Sequence, residues 1–203
     1  CTFAADPIYK MDVEQMLAYH MANNADVTVA AYVVPSSEAS QFGCIATDET
    51  GRIIDFVEKP AVPPEIPGRP GFSYVSMGNY IFERETLEES VLSDSERKDS
   101  KHDFGRDILP RHFGTHKLMA YDFSTNVLPG DDKPYWKDVG SIKAYWEAHM
   151  DLLRHESPLS LYNPQWPIRA VSYSDPPGFT YPDKDHSCSV DGCLRAEASR
   201  VLG

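Results

Sequence analysis

Two acidic side chains, Asp6 and Asp138, stand in settings unlike those of most other carboxylates in the chain. Asp6 follows Phe3-Ala4-Ala5 and precedes Pro7. That puts its carboxylate at the carboxyl end of a strand, where open α/β sheets bind ligands. Asp138 lies in Tyr135-Trp136-Lys137-Asp138-Val139-Gly140-Ser141, between aromatic residues and a helix start. Each also has an ordinary use, Asp6 as the cap of a turn and Asp138 as a helix N-cap. Glu58-Lys59 ends an apolar run and is followed by Pro60. Adjacent residues of an extended chain point to opposite faces, so the two are expected not to pair and each is available to a ligand or to solvent. Ser76-Met77-Gly78 puts small residues into an otherwise apolar strand, the mark of a bulge or of a close backbone approach to a ligand. The seven histidines have neither metal-ligand spacing nor a nucleophile partner. No glycine-rich phosphate loop occurs, so nucleotide binding is not readable from spacing. Asp94, Glu96, Asp99, Asp131 and Asp132 fall in polar stretches and read as solvated surface charge.

These residues are carried by 203 residues with 19 basic and 31 acidic side chains, a net charge of −12, and 41% hydrophobic content. The length allows one full domain, or one with an appendage. The acidic balance argues against nucleic acid and against an anionic membrane as partners, and favours a small molecule or a protein. The longest apolar run, Val27 to Val34, is far too short to cross a bilayer and no signal peptide opens the chain, so a cytoplasmic protein is expected. Cys1, Cys44, Cys188 and Cys193 read as free thiols, the last two lacking a second ligand pair for zinc. A start at Cys1, directly in what reads as a strand end, leads us to expect sequence upstream.

The elements that must position the candidates follow from pattern. Asp12 with Gln15 three residues on is a capping pair, and Met16, Leu17, His20 and Met21 continue a helix over about 12–23. Val27 to Val34, β-branched and stopped by Pro35, predicts a central strand buried on both faces. Residues 42–47 and 52–57 form a hairpin around Asp48-Glu49-Thr50-Gly51. Residues 60–71, with five prolines and two glycines, form an extended loop. A strand over 74–82, a short helix over 85–92, a mobile polar stretch over 93–101 and a strand over 117–123 come next. Ser141 to Leu153, with Ile142, Tyr145, Trp146, His149 and Leu152 at helical spacing, is the strongest amphipathic helix. This alternation is α/β, and prolines break every helix after about residue 154.

Taken in order, Ala5-Asp6-Pro7-Ile8-Tyr9-Lys10-Met11-Asp12, Phe42-Gly43-Cys44, Phe56-Val57-Glu58-Lys59-Pro60, Ser76-Met77-Gly78-Asn79-Tyr80-Ile81-Phe82, His102-Asp103-Phe104-Gly105, Tyr135 to Ser141 and Trp166-Pro167-Ile168-Arg169 give the chain a family resemblance. It resembles the bacterial glucose-1-phosphate adenylyltransferases, also called ADP-glucose pyrophosphorylases. The resemblance implies a Rossmann-like nucleotidyltransferase mixed sheet over residues 1–155, a proline-rich linker over 156–186 and the start of a left-handed β-helix over 187–203. It implies transfer of the adenylyl group of ATP to α-D-glucose 1-phosphate, giving ADP-glucose and pyrophosphate for glycogen synthesis, in a homotetramer under allosteric control. By the same resemblance Asp6 and Asp138 hold Mg²⁺, Lys59 grips the sugar phosphate, Glu58 accepts from glucose hydroxyls, Ser76 makes a further sugar contact, and Gly43 lies close to the sugar. Asp6, Lys59 and Asp138 are then the catalytic set, with Trp136 packed beneath the metal ligand.

The sequence departs from that pattern at Pro7, where the family usually has His; proline removes a backbone donor and fixes φ. The family's glycine-rich phosphate loop would lie upstream of Cys1. A chain lacking those first strands is expected to leave strand 27–34 unpaired and open to aggregation. Two other readings stay open: a non-catalytic subunit that binds sugar phosphate, and a related UDP- or dTDP-glucose pyrophosphorylase.

Overall fold

The computed structural model describes residues 1–131, 133–154 and 157–169, together with the backbone strands at 179–181 and 200–202. Its centre is a five-stranded mixed sheet in the order β4-β3-β5-β2-β6. The strands are β2 (Val27–Pro35), β3 (Gly43–Thr47), β4 (Ile53–Glu58), β5 (Phe72–Phe82) and β6 (Leu118–Asp122). Only β2 and β6 run parallel; the other neighbours are antiparallel. A separate ribbon pairs β1 (Ile8–Tyr9) with β7 (Trp136–Lys137). The helices are α1 (Val13–Ala22), the single turn α2 (Ser36–Ala39), α3 (Arg84–Ser95) and α4 (Ile142–Leu152). A π-helical turn at Phe104–Ile108 runs into a 3₁₀ turn at Leu109–His112.

The apolar run of β2 serves both faces of the sheet, as period-two alternation requires. Val27, Val29 and Ala31 join Ile45, Ile53, Tyr80, Leu109 and Leu118 on one side. Ala30 and Val34 join Met16, Cys44, Val75, Met77, Phe123 and Trp136 on the other. Far from being left open, β2 is bonded to β5 along one edge and β6 along the other. The outer edge of β6 is partly covered too: Ala120 donates its N–H to the Gly51 carbonyl at 2.9 Å, and the Tyr19 hydroxyl donates to the Ala120 carbonyl at 2.9 Å. Such cover blunts an edge that would otherwise template aggregation.

Helix α1 begins as its capping pair demands. Asp12 accepts from the Glu14 N–H at 2.9 Å, and Gln15 Nε2 reaches back to Asp12 at 3.0 Å. The β3–β4 hairpin turns at Gly51, whose φ of +81° suits a residue without a side chain. β5 carries a bulge, one of the two readings open for its small residues. Val29 pairs with Tyr80 and Ala31 with Ser76, so Met77, Gly78 and Asn79 together oppose Ala30.

Three further expectations are corrected. The stretch after α3 is not a loose polar segment: α3 runs to Ser95, and Asp94, 2% exposed, ties the following residues to it. Asp131 is likewise no surface charge, because it holds buried Lys10 at 2.6 Å. Asp132 lies outside the described residues. The apolar stripe of α4 faces outward, leaving Ile142 and Trp146 exposed, while Ala148 and Asp151 face in. Inward-facing Asp151 explains that orientation, since it accepts from Tyr135 Oη at 3.1 Å and Lys137 Nζ at 3.0 Å and so fixes the helix by its polar side. The third correction concerns Glu58 and Lys59 and follows with the site. Residues 187–203 lie outside the described residues apart from β9 (Arg200–Leu202), which pairs in parallel with β8 (Phe179–Tyr181). Cys188 and Cys193 fall outside them; Cys1 and Cys44 are free thiols. Among the described residues no helix is long and apolar enough to cross a membrane.

Candidate active site

The ribbon sets the two aspartates. β1 and β7 pair Ile8 with Lys137 and Tyr9 with Trp136. One further step of that antiparallel register brings Pro7 opposite Asp138, and Asp6 is the next residue along. Both aspartates are exposed. Neither is spent on the ordinary use open to it: α1 takes Asp12 as its N-cap, and α4 takes Ser141, whose hydroxyl accepts from Ala144 N–H at 3.1 Å. Asp138 instead accepts from the Gly140 N–H at 3.0 Å through one oxygen. The segment leading to Asp6 is fixed on the β5 bulge. Thr2 and Tyr80 exchange backbone bonds, and the Ala4 N–H donates to the Gly78 carbonyl at 3.0 Å. Gly78 has φ +74°, and a Cβ there would stand 2.9 Å from that of Ala4, so a larger residue would push this segment away.

The remaining candidates form a row across three strands. Gly43 of β3 pairs with Glu58 of β4. On its other side β3 pairs Cys44 with Val75 and Ile45 with Tyr74, so one more step brings Gly43 opposite Ser76 of β5. Residues that pair across a sheet share a face. Glu58 and Ser76 therefore flank Gly43, and the missing side chain leaves a notch between them. Neighbours already lean into it: a Cβ on Gly43 would meet Phe56 Cζ at 2.7 Å and Glu58 Oε2 at 2.9 Å. The Phe56 ring tip is hemmed in a second time by Gly105, where a Cβ would stand 2.6 Å from the same Cζ.

Lys59 departs from the alternation expected of it. Its φ is +49°, a left-handed conformation that ends the strand, and its N–H donates to the Phe42 carbonyl at 3.0 Å. The turn brings its ammonium to 3.6 Å from Glu58 Oε1, so the two side chains do pair, contrary to the reading from extended geometry. With Lys59 65% and Glu58 46% exposed at the side chain, that pair contributes little to stability, and both groups remain open to an incoming anion or hydroxyl. The Phe42 ring then links this corner to the aspartates: it packs edge-on to Trp136 at 5.8 Å, two residues before Asp138.

Three residues not assigned a role from sequence complete the wall. Tyr80 lies on the Ser76 face of β5, four residues on, where the Asp103 and Glu58 charges act on its phenol. Burial raises its pKa, the Ser76 hydroxyl opposes that, and the two carboxylates add to it, so Tyr80 stays a neutral donor. Asp103 caps the π-helical turn by accepting from Arg106 N–H at 2.8 Å. Phe104 packs on Tyr80 at 5.5 Å and on Phe82 at 5.6 Å. The usable signal for Tyr80 was its even spacing from Ser76, which the bulge conserves. Asp103 and Phe104 had only their place in His102-Asp103-Phe104-Gly105.

The donor set agrees with the chemistry of a hard cation. Among the described residues no cluster of three or more His, Cys, Asp or Glu side chains could hold a metal unaided. Mg²⁺ does not need one, because it usually takes one or two carboxylates and fills its other positions with water and substrate phosphate. Exposed Asp6 and Asp138 at one end of a ribbon meet that requirement.

Comparison with known proteins bears on the whole of this region. The profile of the family described as Nucleotidyl transferase matches residues 1–155. A glucose-1-phosphate adenylyltransferase of Photobacterium profundum is 45% identical over 204 residues, covering all of this chain and 50% of that protein. One of Aliivibrio fischeri is 50% identical over 187 residues, covering 92% of this chain and 46% of that protein. One of Nocardia farcinica is 48% identical over 178 residues, covering 86% of this chain and 44% of that protein. The chain spans about half the length of the curated relatives it matches.

Proposed function

The chain belongs to the nucleotidyl transferase family, and from that premise we propose that the protein it comes from transfers the adenylyl group of ATP to α-D-glucose 1-phosphate, releasing pyrophosphate, in service of glycogen synthesis. The observation that carries the reading is the row Glu58-Gly43-Ser76 beside Lys59 and Tyr80: a notch lined with hydroxyl and carboxylate groups, with an ammonium at its rim. A sugar offers hydroxyls to the first set and its phosphate to the second. Relatives named for this reaction agree with it.

In this reading an oxygen of the sugar phosphate attacks the α-phosphorus of ATP. The new P–O bond forms as the bond to the β-phosphate oxygen breaks, and pyrophosphate leaves with that electron pair. The nucleophile is already an anion, so no side chain has to remove a proton. Lys59 neutralises the sugar phosphate with a compact charge. Glu58 and Ser76 orient the glucose ring, and Tyr80 donates its hydroxyl proton without ionising. Asp6 and Asp138 would hold a divalent cation such as Mg²⁺, which supplies positive charge against the phosphoryl oxygens. The parallel pairing of β8 with β9 is in keeping with successive rungs of a β-helix, and with it we carry forward the linker, the homotetramer and effector control as proposals.

The test uses the protein as its gene encodes it, supplied with ATP, glucose 1-phosphate and Mg²⁺, and reads ADP-glucose and pyrophosphate. Asp138→Asn is expected to cut turnover about a hundredfold with circular dichroism unchanged, the loss typical of one charge-stabilising group. An unaffected rate removes Asp138 from the site. Faster use of UTP or dTTP than of ATP favours a related pyrophosphorylase instead, and ADP-glucose binding without turnover favours a regulatory subunit.

A further inference from the structure

We propose that Asp94, outside the site and buried, is a positioning residue that fixes the Asp103-Phe104 wall of the sugar notch through His102 and Arg111. This rests on the sugar-phosphate reading above. The Asp94 carboxylate lies near the end of α3, 2% exposed, and collects three donors from three places along the chain. Oδ1 accepts from Ser100 Oγ at 2.8 Å and from Arg111 Nη2 at 2.6 Å, while Oδ2 accepts from His102 Nδ1 at 2.7 Å. Arg111 belongs to the 3₁₀ turn that closes the segment and His102 immediately precedes Asp103, so one carboxylate clamps both ends of the unit carrying Asp103, Phe104 and Gly105.

Packing alone does not hold that unit. A cavity of about 280 Å³, lined by Val91, Asp94, Ser95, His102, Phe104 and Ile108, borders Phe104, so part of its surface lacks packing partners. Phe104 also packs on Tyr80, and Gly105 bears on Phe56, which shares a face with Glu58. A shift of the unit therefore passes directly to the notch. His102 adds a second requirement, since it sits at φ +60°, a conformation that Asn and Gly adopt more readily than other residues. Burial would raise the Asp94 pKa, but the hydrogen bonds from His102, Ser100 and Arg111 outweigh it and the net shift is downward, so the anchor stays ionised at neutral pH.

The experiment compares Asp94→Asn, His102→Gly and His102→Asn in the full gene product. His102→Gly relaxes the backbone and removes the donor; His102→Asn also tolerates the left-handed φ and keeps an N–H for Asp94. We expect Asp94→Asn and His102→Gly to raise the KM for glucose 1-phosphate tenfold or more, with kcat and the KM for ATP within threefold of wild type, and His102→Asn to stay within threefold on all three. Amide hydrogen exchange over residues 103–108 should accelerate at least tenfold in the first two variants and not in the third. Because His102 is exposed, the His102 pair decides the matter even where Asp94→Asn folds poorly. Unchanged exchange in Asp94→Asn and His102→Gly overturns the anchor whatever the substrate, as does a fall in kcat for both substrates in proportion to lost folded protein. A wild-type protein that ignores glucose 1-phosphate while the exchange pattern holds overturns the function proposed above and leaves the anchor standing.

Discussion

Replacing Gly43 by alanine separates two jobs that meet at one Cα. The new methyl would stand 2.7 Å from Phe56 Cζ and 2.9 Å from Glu58 Oε2, where ordinary contact begins at 3.4 Å. The ring cannot withdraw freely, because its tip is also in contact with Gly105. Overpacking of this kind costs about 1–3 kcal/mol. For a domain of this size that lowers the melting midpoint by about 2–4 °C per kcal/mol. The carboxylate must retreat by about 0.5 Å to reach ordinary contact, which stretches a hydrogen bond of normal length to or beyond its useful limit. Losing one charge-assisted bond to a glucose hydroxyl costs about 1.5–3 kcal/mol, or roughly a ten- to hundredfold rise in the KM for glucose 1-phosphate. The contact is remote from the reacting phosphorus, so kcat should move little. Phe56→Leu removes the clashing ring tip but leaves the Glu58 clash in place. The double variant Gly43→Ala/Phe56→Leu should therefore recover stability relative to the sum of the single changes, yet keep the raised KM. Steady-state kinetics and thermal melts on the four proteins of the cycle decide it. If KM recovers together with stability, Phe56 and not Glu58 transmits the effect, and the assignment of Glu58 fails.

Two further predictions concern stability. His112 is buried, its Nε2 at 2.7 Å from Ser90 Oγ and its Nδ1 at 3.0 Å from His116 Nδ1. Burial first, then His116 and Arg111, lower its pKa against the pull of Glu89 and Asp26. The unfolded chain then takes up this proton first, so stability should fall as pH drops below about 6.5, by at most about 1.4 kcal/mol per unit. His112→Gln should flatten that part of the curve, and parallel urea-denaturation curves at pH 7 and pH 5 for both proteins would falsify the assignment. Lys10 ties the Asp6 strand to two loops through Asp131 at 2.6 Å and the Ser160 carbonyl at 3.1 Å, in a largely buried pair. Lys10→Met strands the Asp131 charge and should cost about 3–5 kcal/mol, with part of that loss recovered in Lys10→Met/Asp131→Asn; a loss under about 1 kcal/mol in urea refutes the buried-pair reading.

Local signals in the sequence carried most of the elements. The Asp12–Gln15 pair, the β-branched run closed by Pro35 and the glycine of the 48–51 turn each have a short-range cause, and each stands in the structure where that cause puts it. What escaped depends on partners far along the chain. Asp94 sits in a polar stretch, Ser93 to Lys101, that reads as solvent-facing; its burial follows from donors 6, 8 and 17 residues away. Asp131 is drawn out of solvent because Lys10 comes to it from the other end of the domain. On α4 the apolar stripe read correctly as a helix, but its outward direction was not legible, since hydrophobic spacing gives the period and the buried partners give the direction.

The same division explains the site. Glu58, Lys59, Ser76 and Asp6 could be singled out because each is a polar or small residue at the end or in the middle of an apolar strand, and Asp138 because it stands between aromatic residues and a helix start. Their juxtaposition is a matter of register. Glu58 and Ser76 flank one glycine only because β3 pairs with β4 on one side and β5 on the other, and a slip of one residue in either ladder would turn one of them to the opposite face. The register is held by features that look like defects when read one residue at a time. The bulge at Met77-Gly78-Asn79 spends three residues against one and so keeps Ser76 and Tyr80 on a common face, while Lys59 takes a left-handed φ and turns its ammonium back toward Glu58. Regular alternation therefore still predicts the shared face of Ser76 and Tyr80 across the bulge, and fails at Lys59, where the left-handed turn that ends β4 brings an ammonium back beside the Glu58 carboxylate. A local departure of this kind, at the rim of the Gly43 notch, is where a strand that only had to pack would have no reason to turn.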